Sequence, residues 1–403
     1  VEIDAMQLAD RLSLLGTETA FAVSAEAAAF AAAGNKVYPF HLGDINIRTP
    51  QNIIDATVAA MNQGKTGYCP NAGIPTLREA LAQDTNQLRG THYTMHNVAI
   101  QPGGKPSIGK FLQALMNPGD EVLYPSPGYP IYESQIEYLG GKAVAYGYRE
   151  GKANFELKLD ELAASITPRT KLLIYNNLQN PMGAESSREE MQAIADLAIK
   201  HNLIVLSDEA YFEIRYAGRS TSIASLPGME ERTIILYTFS KKFAMTGWRL
   251  GASIGPKAII DVIAKLNVND ESCSNHFIQY GAIEALQGDQ SGPQAILATL
   301  KQRRDVAVKL LNEMPGVHCY NPNATFYLFP NVTEVMKRAG TDDYEVFRRQ
   351  IMHATGVSVC TRRHFGRPMA GETQRYIRLA YSGIDVDQIE EGLLKLKDYL
   401  SRL

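Results

Sequence analysis

TFSKKFAMTGWRLG, residues 238–251, decides how this chain is read. The stretch overlaps the end of an apolar, β-branched run, TIILYTFS, so the chain leaves a buried strand and meets two adjacent lysines, Lys241 and Lys242. A Gly-Trp-Arg turn follows. The hydroxyls of Thr238 and Ser240 and the guanidinium of Arg249 suit a phosphate, and a lysine at a strand end facing a cleft suits a Schiff base with an aldehyde. Taken alone, a Lys-Lys pair is most often a solvated face, and nothing local separates the two amines.

Working outward, helix and strand signals alternate through the middle of the chain, the pattern of an α/β protein with a largely parallel sheet. Thr49-Pro50 before QNIIDATVAAMNQG predicts a helix with Thr49 as N-cap, Pro50 at its first position and Gly64 as its stop. Ser187 and Glu190 form a capping box for EEMQAIADLAIK, and LIVLSD after it reads as a buried strand. The Ala-rich stretch FAVSAEAAAFAAAG reads as a helix ended by Gly34 and not as a secretory leader. From about Gly292 the character changes to a long charged helix followed by short strands, TFYLFP and YIRLAYS. The expected organisation is a large domain over 49–291 and a smaller α+β domain over 292–403, with residues 1–48 packing against the latter.

The chain has 403 residues, 45% hydrophobic and 21% charged, with a net charge of −3. That balance fits an ordinary globular protein and makes nucleic acid and anionic membranes poor partners. No run is apolar enough for a bilayer span. The cysteines Cys69, Cys273, Cys319 and Cys360 form no metal-ligand spacing and read as reduced thiols, so a cytoplasmic protein without a metal site is expected.

Three further clusters lie at probable strand ends, where open parallel sheets place ligands. In QPGGKPS, Gly103 and Gly104 let backbone N–H groups approach an anion at a helix N-terminus, although Gly-Gly is most often only a turn. In YNNLQNPMG, Asn176, Asn177 and Asn180 surround the end of KLLIY, a pattern also common in plain turns. Asp208 ends LIVLSD and Tyr211 follows it. A carboxylate there is poorly solvated without a cationic partner, and the bland alternative is a helix N-cap.

In this order, the four clusters resemble the class I/II pyridoxal-phosphate aminotransferases of the aspartate aminotransferase superfamily, fold type I. The likeness runs from TETAFAVSAEAAAF and LGDINIRTP to YIRLAYS. It implies a large domain with a mostly parallel seven-stranded sheet flanked by helices, a smaller α+β domain, and pyridoxal 5'-phosphate as cofactor. By matching position, Lys241 is the lysine that carries the cofactor and moves the substrate Cα proton, leaving Lys242 a bystander. Asp208 pairs with the ring nitrogen, Tyr211 and Asn180 donate to the ring oxygen, and Tyr129 stacks on the ring. Gly103, Gly104, Lys105, Thr238, Ser240 and Arg249 form the phosphate cup, with Tyr68 contributed by a neighbouring subunit. That last role implies a homodimer with shared sites. Arg378 clamps the substrate α-carboxylate, with Asn180 and the Gly43 backbone beside it.

The sequence departs from the family pattern at Ile45-Asn46, Met182 and Ala324, and most informatively in CTRRHFG, residues 360–366. Arg362 or Arg363 there could hold a distal substrate carboxylate, and a surface role paired with acidic neighbours fits them equally. Specificity is expected to come from the segment near Phe21, from Tyr38 and His41, and from the 361–364 loop. The implied activity is transfer of an amino group between an L-amino acid of aspartate, aromatic or alanine type and a 2-oxo acid, with glutamate and 2-oxoglutarate as one pair. A β-lyase or a cyclopropane-forming synthase would use the same fold and cofactor, and a non-enzymatic cofactor-sensing module is the least favoured alternative.

Overall fold

A computed structural model describes residues 8–16 and 19–403. Residues 1–7 and 17–18, part of the N-terminal segment assigned above to the smaller domain, lie outside the described residues. The centre of the fold is a seven-stranded sheet. Its strands are β1 (Val98–Gln101), β2 (Glu121–Pro125), β3 (Lys142–Tyr146), β4 (Thr170–Tyr175), β5 (Ile204–Asp208), β6 (Thr233–Thr238) and β7 (Gly251–Ile254). Their spatial order is β1-β7-β6-β5-β4-β2-β3. Only β7 runs against its neighbours, pairing antiparallel with both β1 and β6. The inner strands β4, β5 and β6 are largely buried on both faces, which explains their near-continuous apolar sequences, while the edge strand β3 is only partly covered.

The helix α1 (Ala20–Ala32) lies at the cleft mouth, with Val23 against Cys360 and Phe365; along the chain α2 (Gln51–Asn62), α3 (Lys105–Leu115), α4 (Ile131–Tyr138) and α5 (Arg188–Lys200) follow, among the helices that flank the sheet. The helix α5 starts at the predicted capping box, with Ser187 Oγ accepting from the Glu190 N–H at 3.1 Å and Glu190 accepting from the Ser187 N–H at 2.8 Å. At α2 the prediction needs correction. Pro50 occupies the N-cap place and Thr49 caps nothing; its hydroxyl instead donates to the carbonyl of Ala244 at 2.7 Å. Pro50 keeps an extended ψ of 139° and the helix starts at Gln51, one position later than predicted, so the Thr49 hydroxyl is out of capping register and ties the start of α2 to the loop just beyond Lys241.

The C-terminal part holds α6 (Ser291–Asn312), α7 (Tyr344–Thr355) and α8 (Val386–Ser401) around a three-stranded sheet. Its strands are β8 (Tyr327–Leu328), β9 (Cys360–Thr361) and β10 (Ile377–Ala380), in the order β8-β10-β9. One apolar core joins these elements to the segment around Tyr38 and Phe40 and reaches Leu178, Tyr211 and Ile214 of the large-sheet region. Burial of that size fixes the two sheets against each other and leaves a cleft along the carboxyl ends of β1, β4, β5 and β6.

Candidate active site

The cleft encloses a cavity of about 560 Å³. Five of the seven strands deliver groups to it at their carboxyl ends. After β1 come Gly104 and Lys105 at the start of α3; after β2, Tyr129; after β4, Asn176 and Asn180; β5 ends in Asp208; and β6 leads to Thr238, Ser240 and Lys241. Arg249, Tyr211, Arg378 and Gly43 complete the wall. The residues given cofactor or substrate roles by the resemblance thus converge, apart from Tyr68 and Gly103, and Asn177 of the YNNLQNPMG cluster does not line the cavity either. Tyr68 is 89% exposed and does not line the cavity of its own chain. Gly103 sits behind the wall, against the Arg249 guanidinium.

Lys241 donates to the Gly43 carbonyl at 3.2 Å and lies 5.8 Å from the centroid of the Tyr211 ring and 5.4 Å from that of Phe326. Its charge also stabilises Asp208. Burial raises the pKa of Asp208, while a hydrogen bond from the buried Tyr132 hydroxyl, the Ala210 N–H and the Lys241 charge act against it. Asp208 is buried facing the cleft, and its Oδ1 accepts from the Ala210 N–H at 3.1 Å in a turn; no helix among the described residues starts there, so the N-cap alternative is not what the residue does. Asn176 supports it from β4, donating to its carbonyl at 2.9 Å.

Lys242, three bonds along the backbone from its twin, goes elsewhere. It pairs with Glu213 at 2.6 Å and covers the Phe243 ring at 4.8 Å. The two amines that the sequence left equivalent therefore have different surroundings, one in the cavity and one in an ion pair behind it.

Arg378 is buried, with its guanidinium carbon 4.7 Å from the Tyr327 ring centroid and 4.8 Å from that of Phe365. It donates to the His41 carbonyl and, at 3.4 Å, to Asn180 Oδ1, but its Nε has no hydrogen-bond partner among the described residues. An orphaned donor on a clamped guanidinium fits a carboxylate guest. Tyr211 faces Tyr327 hydroxyl to hydroxyl at 2.7 Å, and burial pushes its pKa far above the ordinary tyrosine value, so it remains a donor at neutral pH.

The cup next to α3 fits a phosphate. Thr238 Oγ1 donates to Ser240 Oγ at 2.9 Å, Arg249 is held by the Thr246 carbonyl at 2.8 Å, and a Cβ on Gly103 would collide with the Arg249 guanidinium. Hydroxyls, a guanidinium and a helix N-terminus on one side of the cavity form a dianion's donor set.

Neither Arg362 nor Arg363 reaches this cavity. Arg362 is wholly buried and bound to Glu372 at 2.6 Å, to Ser126 Oγ at 2.8 Å, and to the carbonyls of Phe365, Gly366 and Arg367. A guanidinium with every donor engaged cannot take a second carboxylate. Arg363 lines a separate recess with Glu26, Glu345, Arg348 and Arg349. The neighbours in the same loop, His364 and Phe365, are the ones that line the main cavity. Tyr38 is also removed from the cleft, buried against Gly392, and His41 contributes its carbonyl to Arg378. Phe21 stands at the cavity mouth. The sequence reading missed Tyr132, Tyr327 and Phe365, because each reads as an ordinary core aromatic until the fold turns it toward the cleft.

A strand-end lysine facing a buried carboxylate beside a phosphate cup, on a sheet of this order, defines the class: the chain belongs to the family described as Aminotransferase class I and II, whose pattern residues 36–396 match. It is an aminotransferase that uses pyridoxal phosphate. Over 401 residues it is 31% identical to the aspartate aminotransferase of Bacillus subtilis, covering 98% of this chain and 100% of that one. It is 30% identical over 399 residues to the asparagine–oxo-acid transaminase of Streptococcus mutans, again 98% of this chain and 100% of that one. The crystal structure of the aspartate aminotransferase from Rhizobium meliloti superposes with a TM-score of 0.92 at 28% identity, over 99% of this chain and 100% of that chain.

Proposed function

We propose that this aminotransferase acts on an acidic L-amino acid, with aspartate or glutamate as donor and 2-oxoglutarate as a partner acceptor. The observation that carries the reading is the set of cations on the cavity wall: Lys105, Lys241, Arg249 and Arg378. His364 lines the same wall, but burial lowers its pKa and favours the neutral ring. With Lys241 assigned to the cofactor, Arg249 to its phosphate and Arg378 to the α-carboxylate, Lys105 is the group that a second carboxylate would meet. Its Nζ lies over the Tyr129 ring at 5.9 Å. The relatives named for aspartate and asparagine support a four-carbon donor.

When bound, pyridoxal phosphate supplies an electron-accepting ring that acidifies the substrate Cα–H. The residues of the chain do the rest. Arg378 holds the α-carboxylate in a fork and so orients the Cα–H bond, with Asn180 and the Gly43 backbone on either side. With the cofactor bound, the Lys241 amine would be the group that takes up the substrate Cα proton. Asp208 would hold the ring nitrogen, Tyr211 and Asn180 the ring oxygen, and Tyr129 would lie against the ring. Gly103, Gly104, Lys105 backbone, Thr238, Ser240 and Arg249 hold the phosphate.

The active species is a cytoplasmic homodimer in this reading. Tyr68 is exposed and does not line its own cavity, and Val58 and Met61 on α2 add exposed apolar surface on the same part of the chain. Tyr68 then reaches the phosphate of the partner's site.

A single-turnover screen tests the substrate assignment. Aspartate or glutamate without acceptor should release one oxo acid per site and no ammonia, and Lys105→Ala should weaken that reaction roughly 10- to 100-fold for the acidic donors but not for alanine. Equal use of alanine and aspartate by the wild type, or loss of both in the variant, would set the acidic assignment aside.

A further inference from the structure

Tyr132 lies in the first turn of α4 and is fully buried. Its hydroxyl donates to Asp208 Oδ2 at 2.5 Å. Its ring meets Tyr129 edge-on, with centroids 5.7 Å apart and planes at 84°. One side chain therefore touches both residues assigned to the cofactor ring, the carboxylate at its nitrogen and the aromatic on its face.

Packing alone does not call for that hydroxyl. Tyr132 belongs to the apolar cluster beneath the sheet, with Ile108, Phe111 and Ile136, where phenylalanine would fill the same space without burying a polar group. The hydroxyl instead has a partner of a particular kind, a buried carboxylate that faces the cavity. We infer that Tyr132 is a positioning residue for the transamination step, holding one oxygen of Asp208 so that the carboxylate keeps its rotamer and its charge toward the ring nitrogen. The inference rests on the reading of Asp208 as the partner of that nitrogen.

The physical consequence follows from the direction of the hydrogen bond. A donor on Oδ2 makes the carboxylate a weaker base, so a proton shared between Asp208 and the ring stays on the ring. Burial acts the other way on Asp208, and the Tyr132 bond is the largest influence opposing it. Without the hydroxyl the carboxylate draws that proton toward itself, and the ring accepts electrons less readily. The oxygen that Tyr132 held is also free to rotate.

Tyr132→Phe in the holoenzyme tests this, with Asp208→Asn and the double variant beside it. The expected result is a kcat lowered roughly 10-fold or more with KM for the amino acid within about two-fold, and a cofactor Kd raised roughly 10-fold, while the cofactor-free protein stays folded, its melting temperature lowered by no more than the few degrees that one unsatisfied buried acceptor costs. In the Asp208→Asn background the same change should add nothing to either quantity. Tyr132→Phe indistinguishable from wild type, or an equal loss in both backgrounds, would overturn the inference and leave Tyr132 a core residue. If Asp208→Asn alone leaves kcat and cofactor affinity intact, it is the assignment of Asp208 that fails.

Discussion

The guanidinium of Arg378 stacks 4.7 Å from the Tyr327 ring centroid, and the hydroxyl of that same tyrosine stands 2.7 Å from the hydroxyl of Tyr211. Tyr327 thus joins the proposed substrate anchor to a residue beside Lys241. Its two contacts should separate kinetically. Tyr327→Phe keeps the ring against Arg378 and loses the hydroxyl pair, so kcat should fall about 2- to 10-fold with KM unchanged. Tyr327→Ala removes the stacking surface and should raise KM as well. Steady-state kinetics on both variants checks the split.

Arg378→Lys keeps a positive charge but loses the planar fork and the stacking between Tyr327 and Phe365. An ammonium cannot reproduce two parallel hydrogen bonds to a carboxylate. The expected loss in kcat/KM is roughly 100-fold, with cofactor binding retained. Amino-acid titration of the bound cofactor's visible absorption reads both quantities.

His41 should give the fold a measurable acid sensitivity. Burial, and then the charge of Arg378, lower its pKa from 6.5 to about 4. The unfolded chain therefore takes up this proton at a higher pH than the folded one. Stability from the neutral ring is full above 6.5 and is lost as pH falls toward about 4, by a total on the order of 3 kcal/mol. Asp84, raised to about 6 chiefly by burial, works in the opposite sense, since its contribution is lost as pH rises from 3.8 to about 6. Comparing wild type with His41→Gln isolates the histidine: the variant should lose less urea stability than wild type between about pH 7 and about pH 4.5.

Lys242→Ala removes the half-buried pair with Glu213 and should cost roughly 1 kcal/mol of stability. The cofactor should remain attached with an unchanged spectrum. Denaturation and absorbance on the same sample distinguish this from a catalytic role.

Mixing Lys241→Ala with Tyr68→Ala subunits tests the shared site. If Tyr68 serves the partner, each hybrid dimer has one intact site and activity returns on exchange. If it serves its own chain, no site is intact and the mixture stays inactive.

The alternation of strands and helices was legible because it rests on local signals, apolar runs and a capping box, whereas the roles of the strand-end groups came from the family resemblance, since each cluster alone reads equally as a turn or a solvated face. The strand LIVLSD and the helix at Ser187 needed nothing distant to specify them. The CTRRHFG loop was not legible in the same way. Its arginines draw attention as charges, yet Arg362 is consumed by Glu372 and Ser126, partners ten and more than two hundred positions away, and Phe365 takes the place in the cavity. Thr49 failed for a related reason, its hydroxyl bonding across the chain to Ala244. Tertiary contacts of this kind decide which of two equally polar neighbours faces the cleft, and no periodicity encodes them.

In the proposed function Lys241 alone carries the cofactor. Borohydride reduction of the holoprotein followed by peptide mass mapping tests it directly. The cofactor mass should appear on the peptide position of Lys241 in wild type and in Lys242→Ala, and nowhere on Lys241→Ala. Cofactor fixed to Lys242 or to any other residue of Lys241→Ala would contradict the account.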